Sequence, residues 1–190
     1  MQMSKKLNIT LVRHGSAASN VARRYLGRSD EPLCAVGVEQ ARARLVAGVP
    51  TVEKVFSSPL CRCIETAEII FPSHVPVIID DFIELDFGRF EGHTHDDLIA
   101  SDPAYKVWLD SGGISDIPGG ESRAELIERT KRGFFKMLSL CTGLKSVAAV
   151  VHSGTIMALL SSFSNPPRKF YECYIGNCET AAFDFEMPRM

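Results

Sequence analysis

The chain has 190 residues, 45% of them hydrophobic and 23% charged, the size and make-up of one globular domain rather than of a fibre or a disordered chain. Twenty-one basic against 23 acidic side chains leave a net charge of −2, too balanced for a nucleic-acid or membrane-surface binder. Composition excludes those classes and names no reaction.

Lys5 and Lys6 precede an apolar run at 7–12 that stops at Arg13. That run is shorter than a signal-peptide core, and no stretch approaches the ~20 apolar residues of a membrane span. A soluble, cytoplasmic protein is expected. Residues 7–12 read as a first strand ending at Arg13-His14-Gly15. A helix is expected after Gly37, with Val38, Ala41 and Leu45 inward. Residues 53–56 form a second strand, followed by Ser57-Ser58-Pro59, where Ser58 is expected to cap a helix that Pro59 opens. That helix carries Leu60, Cys63, Ile64, Ala67 and Ile70 at helical spacing.

A third strand is expected at 75–79. Thr94 and Asp102-Pro103 each start a short helix. Ser122 with Glu125 makes a capping box for a long helix facing inward through Ile127, Phe134 and Leu138. Residues 147–151 are the clearest buried strand, ending at His152-Ser153-Gly154. A helix through Leu160 follows, and 180–185 make a last strand. This alternation predicts one α/β domain over residues 1–190, a three-layer α/β/α sandwich with a mostly parallel central sheet. Both His14 and His152 then stand just past the carboxyl end of a strand, where open α/β sheets place their ligand sites.

The six cysteines form no Cys-x-x-Cys pair and read as small buried hydrophobes in a reducing cytosol. Several phosphate and hydrolase chemistries are missing by inspection. There is no Gly-Lys dipeptide for a Walker loop, no cysteine with arginine six residues on, no Asp-x-Asp and no Gly-x-Ser-x-Gly. What remains is histidine chemistry, with Arg13 and Arg62 as cations near His14 and His152.

Arg13-His14-Gly15, Ser57-Ser58-Pro59-Leu60-x-Arg62, Glu84-x-x-Phe87-Gly88-x-x-Glu91-Gly92, Pro118-Gly119-Gly120-Glu121-Ser122 and Val150-Val151-His152-Ser153-Gly154 stand in this order. Together they resemble the histidine phosphatase superfamily, the phosphoglycerate-mutase-like proteins, from Leu11 to about Ala182. The resemblance implies a metal-independent phosphomonoesterase with no cofactor, in which His14 is the nucleophile and becomes a phosphohistidine. It implies Arg13, Arg62 and Asn20 as phosphate contacts, His152 as a donor to the phosphoryl oxygens, and the N–H of Ser153 aimed the same way. Ser153 stands where the family usually has glycine. Glu84 resembles the general acid for the leaving oxygen, with Asp86 as its competitor; the charges of Asp80, Asp81 and Asp86 are expected to raise its pKa.

Phosphoglycerate mutases resemble the chain but carry a longer, more basic insertion; here 93–117 holds one cation, Lys106, and Ser16 stands where they tend to have glutamate. Hydrolysis is therefore expected over transfer. The likeness is greatest to α-ribazole-5′-phosphate phosphatases and broad-specificity members, which implies a small phosphorylated metabolite as partner, with no nucleic acid and no membrane; the oligomeric state stays open. Residues 93–120 are expected to form a lid on which Tyr105, Trp108 and Leu109 read as core. Two rival classes are a metal hydrolase built on His93-x-His95-x-Asp97 and a non-catalytic phosphate-binding module. Thr94 capping a helix with Asp96 and Asp97 in its first turn accounts for the former segment without a metal.

Overall fold

The computed structural model describes residues 6–187, so Lys5 of the basic pair lies outside the described residues. Five strands, β1 (Lys6–Arg13), β2 (Lys54–Ser57), β3 (Val77–Ile78), β4 (Ser146–Val151) and β5 (Thr180–Glu186), form one sheet in the order β3-β2-β4-β1-β5. All neighbours are parallel except β5, which runs antiparallel to β1. The two central strands are covered on both faces, as the unbroken apolar run 147–151 of β4 requires; in β1 the run is broken by exposed Asn8 and buried Thr10. Leu7, Ile9, Leu11, Val147, Ala149 and Val151 face one core; Val12, Ala148 and Val150 face the other.

The helices are α1 (Ala18–Val21), α2 (Ala35–Ala47), α3 (Cys61–Ile70), α4 (His95–Ser101), α5 (Pro103–Asp110), α6 (Arg123–Ser139) and α7 (Ser153–Phe163). Helices α6 and α7 cover the first face through Phe134, Met137, Leu138, Ile156 and Leu159, while α2 and α3 cover the second through Ala41, Cys63, Ala67 and Ile70. The result is the expected three-layer sandwich around a mixed sheet. Ser122 accepts from the N–H of Glu125 and closes the expected capping box, a device worth about 1 kcal/mol.

Local departures from the sequence reading have local causes. Helix α2 begins at Ala35, before Gly37, and the Gly37 backbone touches Gly15 and Ser16 so closely that a Cβ on either glycine would collide. Its inner face is therefore made of small residues, and Leu45 is 40% exposed. Helix α3 starts at Cys61 with Leu60 as its N-cap, so Ser58 does not cap it. On α6, Leu126 is fully buried and Ile127 only half so. Strand β3 keeps two residues of the five expected.

Within 93–120, Thr94 and Asp102 accept from the N–H groups of Asp97 and Ala104 and cap α4 and α5. These helices close a third small core, in which Phe90, Leu98, Tyr105 and Ile117 meet Tyr25, Phe87, Trp108 and Leu109. Among the described residues no helix is long and apolar enough to cross a membrane.

Candidate active site

The site is built on the ends of β1 and β4. Arg13 is in register with Val151, and the N–H of His14 donates to the Val151 carbonyl at 3.0 Å. His14 and His152 are thus the first residues beyond two adjacent strands. Their rings lie 5.0 Å apart, edge to face, and both are buried.

The hydrogen bonds of His14 define its tautomer. Nδ1 lies 2.7 Å from the Gly15 carbonyl, which can only accept, so Nδ1 carries the proton. Nε2 receives the Nε–H of Arg62 at 3.3 Å and therefore holds a lone pair. Burial lowers the imidazole pKa to about 3, and the Arg62 and Arg13 charges push the same way. Desolvation is the larger cause. The backbone around the ring is pinned as well. Asn177 donates to the His14 carbonyl at 2.8 Å, and Thr66 accepts from the Gly15 N–H at 3.0 Å while donating to the Arg62 carbonyl.

Arg62 is completely buried, and its Nη1 and Nη2 donate to the carbonyls of Ser29 and Gly27 at 2.8 and 2.7 Å. Arg13 donates from Nη1 to the Tyr174 hydroxyl at 2.9 Å and the Ile175 carbonyl at 3.0 Å, while its buried Nε makes no hydrogen bond. The Nε2 of His152 lies 2.7 Å from the Ser58 hydroxyl and 3.4 Å from the Cys63 thiol. Burial, then the neighbouring His14 and Arg62, hold His152 well below its usual pKa. Burial drives the Cys63 thiol up, so it stays protonated.

Glu84 completes the group from the far side. Its carboxylate accepts from the Leu85 N–H at 2.8 Å and from the Gly154 N–H at 3.2 Å, in the first turn of α7. A Cβ on Gly154 would collide with that carboxylate; glycine there is what admits it. Burial raises the Glu84 pKa, opposed by these two N–H groups and by Arg62 and Arg13. The expected cause, crowding by Asp80, Asp81 and Asp86, is corrected: Asp81 pairs with Arg132 and Asp86 with Arg28. A neutral imidazole with an aimed lone pair, two guanidinium groups, a second imidazole and a carboxyl biased toward its acid form are the parts of metal-free phosphoryl chemistry.

The profile of the histidine phosphatase superfamily, branch 1, matches residues 9–189. The chain belongs to this superfamily. It is 34% identical over 186 residues to the Proteus mirabilis protein called "Probable phosphoglycerate mutase GpmB", covering 95% of this chain and 86% of that one. It is also 34% identical over 157 residues to a bifunctional protein of Mycobacterium tuberculosis, covering 80% of this chain but only 43% of that longer protein. The crystal structure of the α-ribazole phosphatase from Shigella flexneri matches with a TM-score of 0.81 at 26% identity, over 93% of this chain and 89% of that one.

Within this histidine phosphatase fold the other sequence candidates fall as follows. Asn20 lies on α1 with its side-chain oxygen accepting from the Ala17 N–H at 3.0 Å. Ser153 opens α7, and its hydroxyl oxygen is buried without a partner. Asp86 accepts from the Gly88 N–H and is engaged by Arg28. The His93–Asp97 segment turns to other partners, with Asp97 in a capping box and His95 Nδ1 2.8 Å from the Tyr105 hydroxyl. Among the described residues no group of three or more His, Cys, Asp or Glu is placed to hold a metal ion.

Four supporting residues escaped the sequence reading. Thr66 follows Arg62 by one helical turn, so i, i+4 spacing offered a signal. Ser58, read as a cap, bonds His152 instead. Asn177 carried no signal. Arg129 clasps Glu121 with two hydrogen bonds of 2.8 and 2.6 Å and also donates to the carbonyls of Asp81, Ile83 and Glu84, fixing the segment that bears Glu84.

Proposed function

We propose that the chain is a phosphomonoesterase that works through a phosphohistidine, without a metal or other cofactor, on a small phosphorylated metabolite in the cytoplasm. The observation that carries this reading is the neutral Nδ1–H tautomer of His14, with its Nε2 lone pair facing a buried arginine at the sheet edge. Nε2 attacks phosphorus as the ester oxygen departs with the proton of Glu84. Arg13, Arg62, His152 and the amino end of α7 at Ser153 balance the phosphoryl charge, with Asn20 as a further polar contact. Water then attacks the phosphohistidine and gives its proton to the Glu84 carboxylate, which frees inorganic phosphate and resets both groups.

The substrate reading is α-ribazole 5′-phosphate or a similar phosphorylated metabolite bearing a flat ring. It is supported by the Shigella likeness and by Tyr171 and Tyr174, which are 52% and 60% exposed. Tyr174 touches Arg13, and a Cβ on Gly113 would collide with the Tyr171 hydroxyl, so Tyr174 borders Arg13 and Tyr171 borders the 93–120 cap. Exposed aromatic faces beside a phosphate site suit an aromatic leaving group. The cap is then the expected lid.

The Proteus likeness favours a second reading, phosphoryl transfer between carboxylated sugars. Against it, Lys106 is exposed and remains the one cation of 93–117, Ser16 is buried, and Arg28 is engaged by Asp86 and Glu121. Neither Lys106 nor Arg28 is thus a free cation set for a carboxylate.

The test is hydrolysis of an aryl phosphate in excess EDTA, with His14→Ala beside the wild type and acid-labile phosphate on protein followed after a quench. Turnover that survives the chelator, dies with the mutation and passes through labelled His14 is expected. Activity lost to EDTA, or retained in His14→Ala, would overturn the proposal. Transfer to a phosphoglycerate acceptor faster than to water would favour the mutase reading.

A further inference from the structure

Arg62 meets His14 with one nitrogen only; its other two donors are held by the carbonyls of Gly27 and Ser29. Those carbonyls belong to a loop, and a loop places a guanidinium only as well as it is itself placed. The N–H groups of the same two residues, Gly27 and Ser29, both donate to Oε1 of Glu91, at 2.8 and 3.1 Å. The loop therefore lies clamped between a buried cation and a carboxylate.

Close packing makes the clamp stiff. A Cβ on Gly27 would meet the Leu85 carbonyl, the other Glu91 oxygen and the Phe87 ring. That other oxygen, Oε2, is buried and makes no hydrogen bond. An orphaned carboxylate oxygen costs free energy, and an apolar side chain would fill the same space without that cost. Glu91 stands in the quoted motif, and its carboxylate makes contact with no residue assigned a chemical role.

We infer that Glu91 is a positioning residue, which fixes Arg62 through the 27–29 loop and thereby holds the lone pair of His14 in its reactive orientation. The inference rests on the reading of His14 as nucleophile. Shifts of about 1 Å at a reacting group, or loss of a supporting partner, cost about 10- to 100-fold.

The experiment is steady-state hydrolysis of an aryl phosphate by Glu91→Ala, Glu91→Asp and Glu91→Gln, with the His14 ring titrated by NMR in each. Glu91→Ala is expected to lose kcat by about 10- to 100-fold with a smaller change in KM, and its His14 pKa to rise as Arg62 draws away. Glu91→Gln keeps an acceptor for both N–H groups and is expected to recover most of the loss. Glu91→Asp withdraws the carboxylate by one methylene and is expected to fall between them, which serves if the alanine variant does not fold. Leu138→Ala, a core truncation in the last turn of α6, is expected to lower stability while leaving kcat and the His14 titration alone. Folded Glu91→Ala and Glu91→Asp proteins with kcat within twofold of wild type and an unmoved His14 titration would overturn the inference. Activity surviving in His14→Ala would instead overturn the reading beneath it.

Discussion

The two ends of the site are made differently. At the phosphate end, His14, Arg62 and His152 are buried, sit on strand ends and a helix, and have their ring, guanidinium and backbone groups tied by hydrogen bonds. At the proposed leaving-group end, Tyr171, on a short 3₁₀ turn, and Tyr174, which caps that turn, are more than half exposed. The first arrangement suits charge stabilisation, which gains from groups fixed before the reaction in a medium of low polarity. The second suits recognition, which loops on a rigid frame can vary without disturbing the chemistry.

This contrast predicts a gradient of mutational effects. His14→Ala is expected to lower kcat by about 10⁴-fold or more, since no neighbouring group can replace the nucleophile; single-turnover assays would show it. Arg62→Ala should lower kcat/KM by about 10²- to 10³-fold, the usual loss of a strong oxyanion donor. A smaller loss there than in any tyrosine variant would invert the comparison. Glu84→Gln should reduce alkyl phosphate turnover by about 10²-fold or more while sparing an aryl phosphate whose leaving group needs no proton. For the wild type, kcat/KM on alkyl phosphates is expected to decline as pH rises through the raised Glu84 pKa, a limb missing for the aryl ester.

Tyr171→Ala and Tyr174→Ala should raise KM for aromatic phosphates by about threefold to tenfold and barely affect small alkyl phosphates. Equal effects on both substrate types would remove the aromatic-wall reading. A last effect concerns stability. His14 titrates near its usual 6.5 when unfolded and at about 3 when folded, so the unfolded chain binds the extra proton between these values. Stability is therefore present above pH 6.5 and is lost as pH falls toward 3; urea midpoints of wild type and His14→Ala should converge in acid.

The sheet and its ligand edge were legible because they depend on local runs. Residues 147–151 are apolar without interruption, and 7–12 are broken only by Asn8 and Thr10, the pattern of doubly covered central strands. What was hidden depended on residues far apart in the chain. Ser58 looked like a cap, because capping is judged from the next three residues; its actual partner, His152, arrives 94 residues later. The carboxyl of Glu84 looked crowded by aspartates, because sequence shows neighbours but neither the arginines that neutralise them nor burial. Leu45 fits a helical stripe, yet the close backbone approach of Gly15 to Gly37 tilts the contact of α2 toward small residues.

The pairing of Arg13 with Val151 carries a consequence for how this protein can change over time. Because β1 and β4 end flush, the spacing of the two histidines is written into the strand lengths rather than into any loop. Inserting or deleting one residue in either strand would slide one histidine by about 3.3 Å and turn it to the opposite face of the sheet. Length variation among descendants of this chain should therefore gather between 93 and 120 and around 165–175, and should be missing from 7–14 and 146–152.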